Sequence, residues 1–429
     1  MISLKERLLT DLHNCSSYPG LNAEVLASRL SEMAQIGGLP NRGISRYVYT
    51  EEEKEAKELF KSWLEDIGGL VREDSVGNII ARFEGENPEM SVVMTGSHLD
   101  TVPDGGAFDG ALGCISSLMA VEALRNSEKK HIRPIEIVVF ADEEGTRFGS
   151  GLLGSRAMIG EVSKEELHQV KDNRGITIYE AMEDMGFMPA KVEESKYPEN
   201  SIHAFIELHI EQGKQLEYNQ EKIGIVNGIA GPSWQTVTFY GETDHAGNTP
   251  MNLRKDTVAA AGELITEIEK VPAAVSDSAV ATVGKVHVLP NGSNVISGET
   301  ELTIDIRDIK EEARNEVIAR VKSTAEDIAE NRQLEMEWKT LLTLPPVPLS
   351  KNIQRITEEA AQRHGLAYRV LPSGAGHDAM NIGKKVSAGM IFVPSKAGKS
   401  HSPEEFTNLS DCLDGIAVLK DTIEYLANE

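Results

Sequence analysis

The sequence predicts an α/β protein, a mixed sheet covered by helices, interrupted by a smaller inserted unit of β-α-β-β-α-β order. Three observations predict it. Two strongly apolar strands, Ser91 to Gly96 and Ile135 to Ala141, flank a helix expected over Leu112 to Arg125; strand, helix, strand in that order builds a parallel or mixed sheet. Between about Gly228 and Leu342, strands at Trp234 to Tyr240, Val280 to Val288, Thr300 to Arg307 and Leu334 to Leu342 are interleaved with helices at Thr257 to Val271 and Glu311 to Asn331, the order of a ferredoxin-like unit. The α/β pattern then resumes with a helix from Asn352 to His364, a strand from Ala388 to Val393 and a helix from Leu409 to Leu426. At 429 residues two domains are expected: one from residues 1–227 and 343–429, the other inserted at 228–342. Pro345-Pro346-Val347-Pro348 marks the return linker.

The earlier elements follow from local signals. Thr50-Glu51-Glu52-Glu53 reads as a capping box that opens an amphipathic helix, with Leu59, Phe60, Trp63, Leu64 and Ile67 on one side and Gly68-Gly69 as its stop. Short strands are expected around Val71 to Glu73 and Asn78 to Phe83. A glycine-rich loop, Gly105-Gly106-Ala107-Phe108-Asp109-Gly110, leads into the Leu112 helix.

Composition narrows the function. No apolar run approaches the roughly 20 residues that span a bilayer, and the opening Met1-Ile2-Ser3-Leu4-Lys5-Glu6-Arg7 lacks the pattern of a signal peptide. A cytoplasmic location is expected. A formal charge of −25 repels nucleic acid and anionic lipid, so neither is expected as a partner. Cys15, Cys114 and Cys412 are far apart and form no C-x-x-C pair, which argues against a disulfide framework and a thiolate zinc site. Any metal here must rest on histidines and carboxylates.

Such residues gather at strand ends. His98 and Asp100 lie just past Gly96, Asp109 sits in the glycine-rich loop, and Glu143-Glu144 follow the strand ending at Ala141. Open α/β sheets place their ligands at those ends. His209 lies in Ile206-Glu207-Leu208-His209-Ile210-Glu211, and His401 in Ser400-His401-Ser402-Pro403 after the late strand. A lone histidine after a strand is more often a hydrogen-bonded loop residue than a ligand, and adjacent glutamates are usually solvated surface. The set together fits two-metal chemistry better. Two divalent ions about 3.5–4 Å apart need one bridging carboxylate, nitrogen and oxygen ligands on each side, and room for a shared water. Imidazole with carboxylate suits zinc, manganese, cobalt or nickel. A carboxylate that is not a ligand can carry the water's proton to a leaving nitrogen, and two adjacent glutamates point in different directions at a strand end. Asp100 is suited to hold the second nitrogen of His98.

The motifs Gly96-Ser97-His98-Leu99-Asp100-Thr101, Gly105 to Gly110, Asp142-Glu143-Glu144-Gly145, Glu207 to Gly213, Ser373-Gly374-Ala375-Gly376-His377-Asp378 and Ser400 to Pro403 resemble the M20 metallopeptidase superfamily. They look like its hydantoinase/carbamoylase amidase branch, and the resemblance runs essentially end to end. It implies that Asp109 bridges two metals, with His98 and His209 on one and Glu144 and His401 on the other, and that Glu143 is the general base. The inserted unit becomes a lid and dimerisation domain. In it, Gly241 to Gly247 resembles the segment whose histidine, here His245, reaches a partner's site and stabilises an oxyanion. Asn294 and Arg307 match positions that hold a substrate carboxylate, which a planar guanidinium fits. By itself, Arg307 reads more simply as a strand-end ion pair. Gln212 and His377 match substrate or supporting contacts.

The expectation is a homodimeric, metal-dependent amidohydrolase that cleaves the ureido C–N bond of a carboxylate-bearing substrate. N-carbamoyl-L-amino acids come first, with allantoate and N-carbamoyl-β-alanine (the β-ureidopropionase substrate) as alternatives. An aminoacylase or dipeptidase is a weaker option. A catalytically silent metal-dependent binding protein is the reading from another class, and the presence of Glu143 beside all five ligand candidates argues against it.

Overall fold

The strands that precede the insertion are β1 (Leu70–Glu73), β2 (Ile79–Phe83), β3 (Val92–His98), β4 (Ile135–Phe140), β5 (Ile202–Ile210) and β6 (Ile223–Ile229). These come from a computed structural model that describes residues 3–40, 43–127 and 129–429. The chain divides into two units: Met1–Asn227 with Leu349–Leu371 and His377–Glu429, and Gly228–Pro348 with Pro372–Gly376.

In the first unit the sheet runs β1-β2-β4-β3-β5, then the late strand Ser387–Val393, then β6. Every residue of β3 and β4 is buried, the pattern of strands covered on both faces. β3 runs parallel to β4 and β5, and the late strand runs parallel to β5. In register, His98 faces Phe140 and His209 faces Phe392. Four parallel strands therefore end at one edge of the sheet, and the segments that leave them start side by side.

The helix Ala111–Arg125 is buried over almost its whole circumference, so it belongs to the core and shows no clean polar stripe. Small residues let it lie close to the sheet: a Cβ on Gly113 would run into the Leu208 carbonyl. It packs with the helix Leu409–Ala427 through a core that includes Ile115, Leu118, Leu208, Ile416 and Leu419, all fully buried. Each such side chain contributes about 1.5–3 kcal/mol of burial free energy.

The amphipathic helix spans Glu51–Asp66, and Gly68 follows with φ +78°. Its capping box departs from expectation in one arm. Thr50 Oγ1 accepts the Glu53 N–H at 3.4 Å, but Glu53 turns inward, where Oε2 accepts the Tyr49 N–H at 2.7 Å and Oε1 pairs with Lys57 at 2.6 Å. The buried lysine one turn later outcompetes the cap's own backbone for that carboxylate. β6 and the helices Leu153–Met158, Lys164–Gln169 and Ile178–Asp184 were not expected; six or seven residues are too few to show helical periodicity. Among the described residues no helix is long and apolar enough to cross a membrane.

The second unit contains β7 (Gly231–Tyr240), β8 (Asp244–His245), β9 (Val280–Leu289), β10 (Val295–Ile296), β11 (Glu299–Asp308) and β12 (Glu335–Thr343). Four of these form an antiparallel sheet of order β12-β7-β11-β9. The helices Thr257–Ile268 and Glu311–Asn331 bury Leu264, Val317 and Val321 with Val237, Phe239, Leu302 and Ile304 of the sheet. The first helix stops at Ile268, short of the expected Val271, and Pro272 opens a separate short turn. The two-residue ladder of β8 with β10 was also unforeseen, since no periodicity exists over two residues.

Arg46 braces the first unit beneath His98. It is 1% exposed and donates to Leu99 O at 2.6 Å, Met33 O at 3.1 Å and Ile36 O at 3.0 Å. It thereby satisfies carbonyls at the end of the helix Ala23–Met33 and in the segment after β3. Arg46→Met leaves the Leu99 and Ile36 carbonyls without their guanidinium donor, and a loss of about 3 kcal/mol or more is expected. Equilibrium unfolding in urea checks this; a midpoint within experimental error of the parent chain would remove the brace.

Candidate metal centre

His98 ends β3, Glu143 and Glu144 follow β4, His209 is the penultimate residue of β5, and His401 lies beyond the late strand. Parallel register brings their starting points together, and Asp109 enters from the loop before the helix Ala111–Arg125. The ligand atoms of His98, Asp109 and His209 lie within 4.8 Å of one another, as do those of Asp109, Glu144 and His401. Asp109 is common to both groups, and its two oxygens face different histidines. Oδ1 lies 3.0 Å from His209 Nε2 and 3.7 Å from His98 Nε2, whereas Oδ2 lies 3.2 Å from His401 Nε2. Glu144 Oε2 is 3.8 Å from His401 Nε2. Glu143 Oε2 is 3.9 Å from His98 Nε2, and His98, Glu143 and Glu144 form a further close group.

Two imidazoles are oriented from behind. Nδ1 of His209 lies 2.9 Å from Ile210 O, and Nδ1 of His98 lies 3.0 Å from Asp100 O. Nδ1–H donating to a carbonyl leaves the Nε2 lone pair turned toward Asp109. For His98 the nearest partner is thus the Asp100 carbonyl; the carboxylate expected there is 3.6 Å away. Its oxygens instead accept the Glu143 and Glu144 N–H groups at 3.2 and 3.0 Å, which fixes the turn that presents both glutamates. Asp142, just before them, has φ +55°, and Gln212 (+55°) and His401 (+53°) share that left-handed conformation. Non-glycine residues adopt it at some cost, typically where a site demands it.

The electrostatics fit a polycation. Burial pushes Glu143 well above the carboxylate range, with Glu144, Asp378 and Asp100 adding to the effect against His98. Burial, then Asp109, raises Glu144 to about 7. The hydrogen bond to Asp109, with help from Glu144, lifts His401 to about 9 against its burial. Burial opposes charge on His98 as well, yet Glu143, Asp100 and Asp109 hold it well above the usual imidazole value. Protons are thus drawn onto a cluster whose nitrogen and oxygen lone pairs face each other, and divalent ions would replace those protons. Glu144 Oε1 and Gln212 Oε1 are buried without a hydrogen-bond partner, as acceptors kept for another group would be. His98, Asp109, Glu144, His209 and His401 fit such ions.

The remaining candidates fall in two places. In the first unit, Gln212 Nε2 donates to Asp109 Oδ2 at 2.9 Å, and buried His377 packs edge-on against His209 at 4.5 Å. In the second unit, β8 sets His245 opposite Val295, the neighbour of Asn294. His245 Nδ1 accepts the N–H groups of Gly247 (3.0 Å) and Asn248 (3.2 Å), so neutral His245 carries its proton on Nε2. Arg307 pairs with Asp305 through Nε (2.9 Å) and Nη2 (2.7 Å) and donates from Nη1 to Gly374 O (2.6 Å). One N–H on each Nη remains free. Side chains the sequence reading passed over also touch the cluster. Ser400 Oγ lies 3.0 Å from Asp109 Oδ2. Glu207, fully buried, accepts from Ser97 Oγ at 2.8 Å and forms a close group with His209 and His377. Glu207 was readable from strand period, since it lies two residues before His209 and shares its face.

The family model of "Peptidase family M20/M25/M40" matches residues 94–425. The N-carbamoyl-L-amino acid amidohydrolase of Geobacillus stearothermophilus is 41% identical over 407 residues, covering 95% of this chain and 99% of its own length. The allantoate amidohydrolase of Escherichia coli is 34% identical over 404 residues, covering 94% and 98%. A crystal structure of an amidase of the hydantoinase/carbamoylase family from Burkholderia multivorans superposes with a TM-score of 0.91 at 32% identity, covering 96% of this chain and 99% of that one.

If Asp109 is shared, its loss must affect both groups while loss of His401 affects one. Dialysed against manganese(II), the parent chain is expected to retain two ions, His401→Ala one and Asp109→Ala none. Metal analysis after gel filtration reads this, and two ions retained by Asp109→Ala would remove it from the ligand set.

Proposed function

Because the chain belongs to peptidase family M20/M25/M40 and is a hydrolase, we propose that it hydrolyses N-carbamoyl-L-amino acids to the amino acid, carbon dioxide and ammonia. The observation that carries the reading is Asp109, one carboxylate facing two sets of ligands across its two oxygens. The carbamoyl substrate is favoured by relatives of that name at 41, 39 and 36% identity, against 34 and 35% for the allantoate amidohydrolases. Divalent ions held by His98, Asp109, Glu144, His209 and His401 supply Lewis acidity toward a carbonyl oxygen and make a water easier to deprotonate.

The chain's own residues do the rest. Glu143, whose burial makes it more basic than an ordinary carboxylate, takes a proton from the attacking water and delivers it to the departing nitrogen. Asp100 steadies it through the Glu143 N–H. His245 donates from Nε2 to the oxyanion that develops on the ureido carbon. Gln212 steadies Asp109 and offers its free Oε1 to a substrate N–H. His377, held neutral because burial and His209 push it well below the imidazole range, offers an uncharged contact beside the substrate. Asn294 and the two free N–H groups of Arg307 receive the substrate carboxylate, which selects α-amino-acid derivatives. In this proposal the working enzyme is a homodimer in which His245, Asn294 and Arg307 serve the partner's metal centre.

Ammonia release from N-carbamoyl-L-amino acids, N-carbamoyl-β-alanine and allantoate, each with manganese, cobalt, nickel or zinc, tests the substrate. The highest kcat/KM is expected on a carbamoyl-L-amino acid; preference for allantoate would reassign the substrate, and silence on all three would favour a binding role. Glu143→Gln is expected to keep its metal and lose about 10²–10⁴ of kcat. Loss of metal in that variant would exchange the roles of the two glutamates. Arg307→Ala is expected to raise KM for carboxylate substrates with kcat much less affected; an unchanged KM would leave Arg307 as the structural partner of Asp305.

A further inference from the structure

Glu405 has no part in the roles above, yet it is bonded to the loops that carry two of the proposed ligands. It is 3% exposed and lies four residues past His401. Its Oε1 accepts two backbone N–H groups, from Phe108 at 2.8 Å and Asp109 at 3.0 Å. Its Oε2 lies 3.0 Å from the Ser400 hydroxyl, which is also 3.0 Å from Asp109 Oδ2. One carboxylate thus grips the main chain of Asp109 and meets the Ser400 hydroxyl, which also lies beside the Asp109 side chain. The same segment is closed on itself: Glu405 N–H donates to Ser402 O at 3.1 Å and Lys396 N–H to Phe406 O at 2.8 Å. Phe406 meets Phe108 edge-on at 5.5 Å. Opposite, Gly106 lies so near that a Cβ there would overlap the Glu405 side chain.

We propose that Glu405 is a positioning residue that clamps the Asp109 loop to the His401 loop and so sets the affinity of the Asp109, Glu144 and His401 group for its divalent ion. The inference rests on the ligand set proposed above. His98 and His209 are 1% exposed and sit on strands, where the sheet holds them. The His401 side chain is 50% exposed on a left-handed backbone, so packing holds it weakly and its 3.2 Å separation from Asp109 depends on bonds between the loops. Removing Glu405 should therefore weaken one ion more than the other. Losing an outer hydrogen-bond partner of this kind typically costs 10–100-fold in metal affinity.

The test is titration of the metal-free full-length chain with cobalt(II), followed by visible absorption and competition with a chelator, in the parent, Glu405→Met and Glu405→Ala. Far-UV circular dichroism monitors the fold. The parent is expected to bind two ions. Glu405→Ala is expected to hold the first with near-parental affinity and the second about 10–100-fold more weakly, with an altered absorption band. Glu405→Met, which fills the side-chain volume but accepts from neither the two N–H groups nor Ser400, is expected to show the same selective loss. Parental affinity for both ions in Glu405→Met overturns the proposal, and that variant decides alone if Glu405→Ala does not fold. An equal loss for both ions also overturns it, because the clamp would then not be specific to the His401 side. If the parent itself binds no cobalt, the ligand set fails and the clamp with it.

Discussion

Asp109 has to face His98 and His209 with one oxygen and His401 with the other, and much of the first unit can be understood from that requirement. A carboxylate can do this only if its backbone is held on a fixed line between a buried strand edge and an exposed loop. The glycines around it make the approach possible. Gly110 has φ +64°, and a Cβ there would collide with the His98 ring. Its N–H points at His209 Nε2 at 3.4 Å, so the helix Ala111–Arg125 begins against the cluster. Burying that helix in the core anchors the loop in turn.

The cluster concentrates negative charge in a dry place. Burial is the main cause that raises Glu143 and Glu144; Glu144, Asp378 and Asp100 add to it for Glu143, and Asp109 and Asp100 for Glu144, with His98 opposing both. Buried carboxylates without cations are expensive, so the cluster draws in protons or metal. That cost fits the Asp100 oxygens being tied to backbone N–H groups and those of Asp109 being turned toward imidazoles. It also accounts for the division between Glu143 and Glu144: the Asp100 carboxylate fixes both backbones, and the two side chains leave the turn toward different neighbours.

Long apolar strands and the long helices of both units were readable because burial on both faces and helical period leave a mark over many residues; the helix Glu311–Asn331 matches the expected span. The second unit's strand order was legible too, because its elements alternate clearly. What escaped were elements without a period, such as β8 and β10, and competitions among polar groups. Glu53 leaves its own cap for Tyr49 and Lys57, and the Asp100 carbonyl stands where the carboxylate was expected. Nothing in the order of residues says which of two oxygens a proton will find. Glu405 was invisible for a related reason: a glutamate after a histidine reads as surface until Phe108 and Asp109, almost 300 positions away, come to donate to it.

The sequence by itself determined which residue types stand at the ends of the parallel strands, and hence the histidine and carboxylate inventory of the centre, because strand and helix patterns are local and chemistry-bearing residues interrupt them visibly. Tertiary structure alone decided which oxygen of Asp109 faces which histidine, which nitrogen of His98, His209 and His245 is turned outward, and which groups remain unpaired. Those outcomes depend on distances of a few tenths of an ångström between segments far apart in the chain. They follow from the parallel register of the sheet and the packing of the loops around Asp109, which no local pattern encodes.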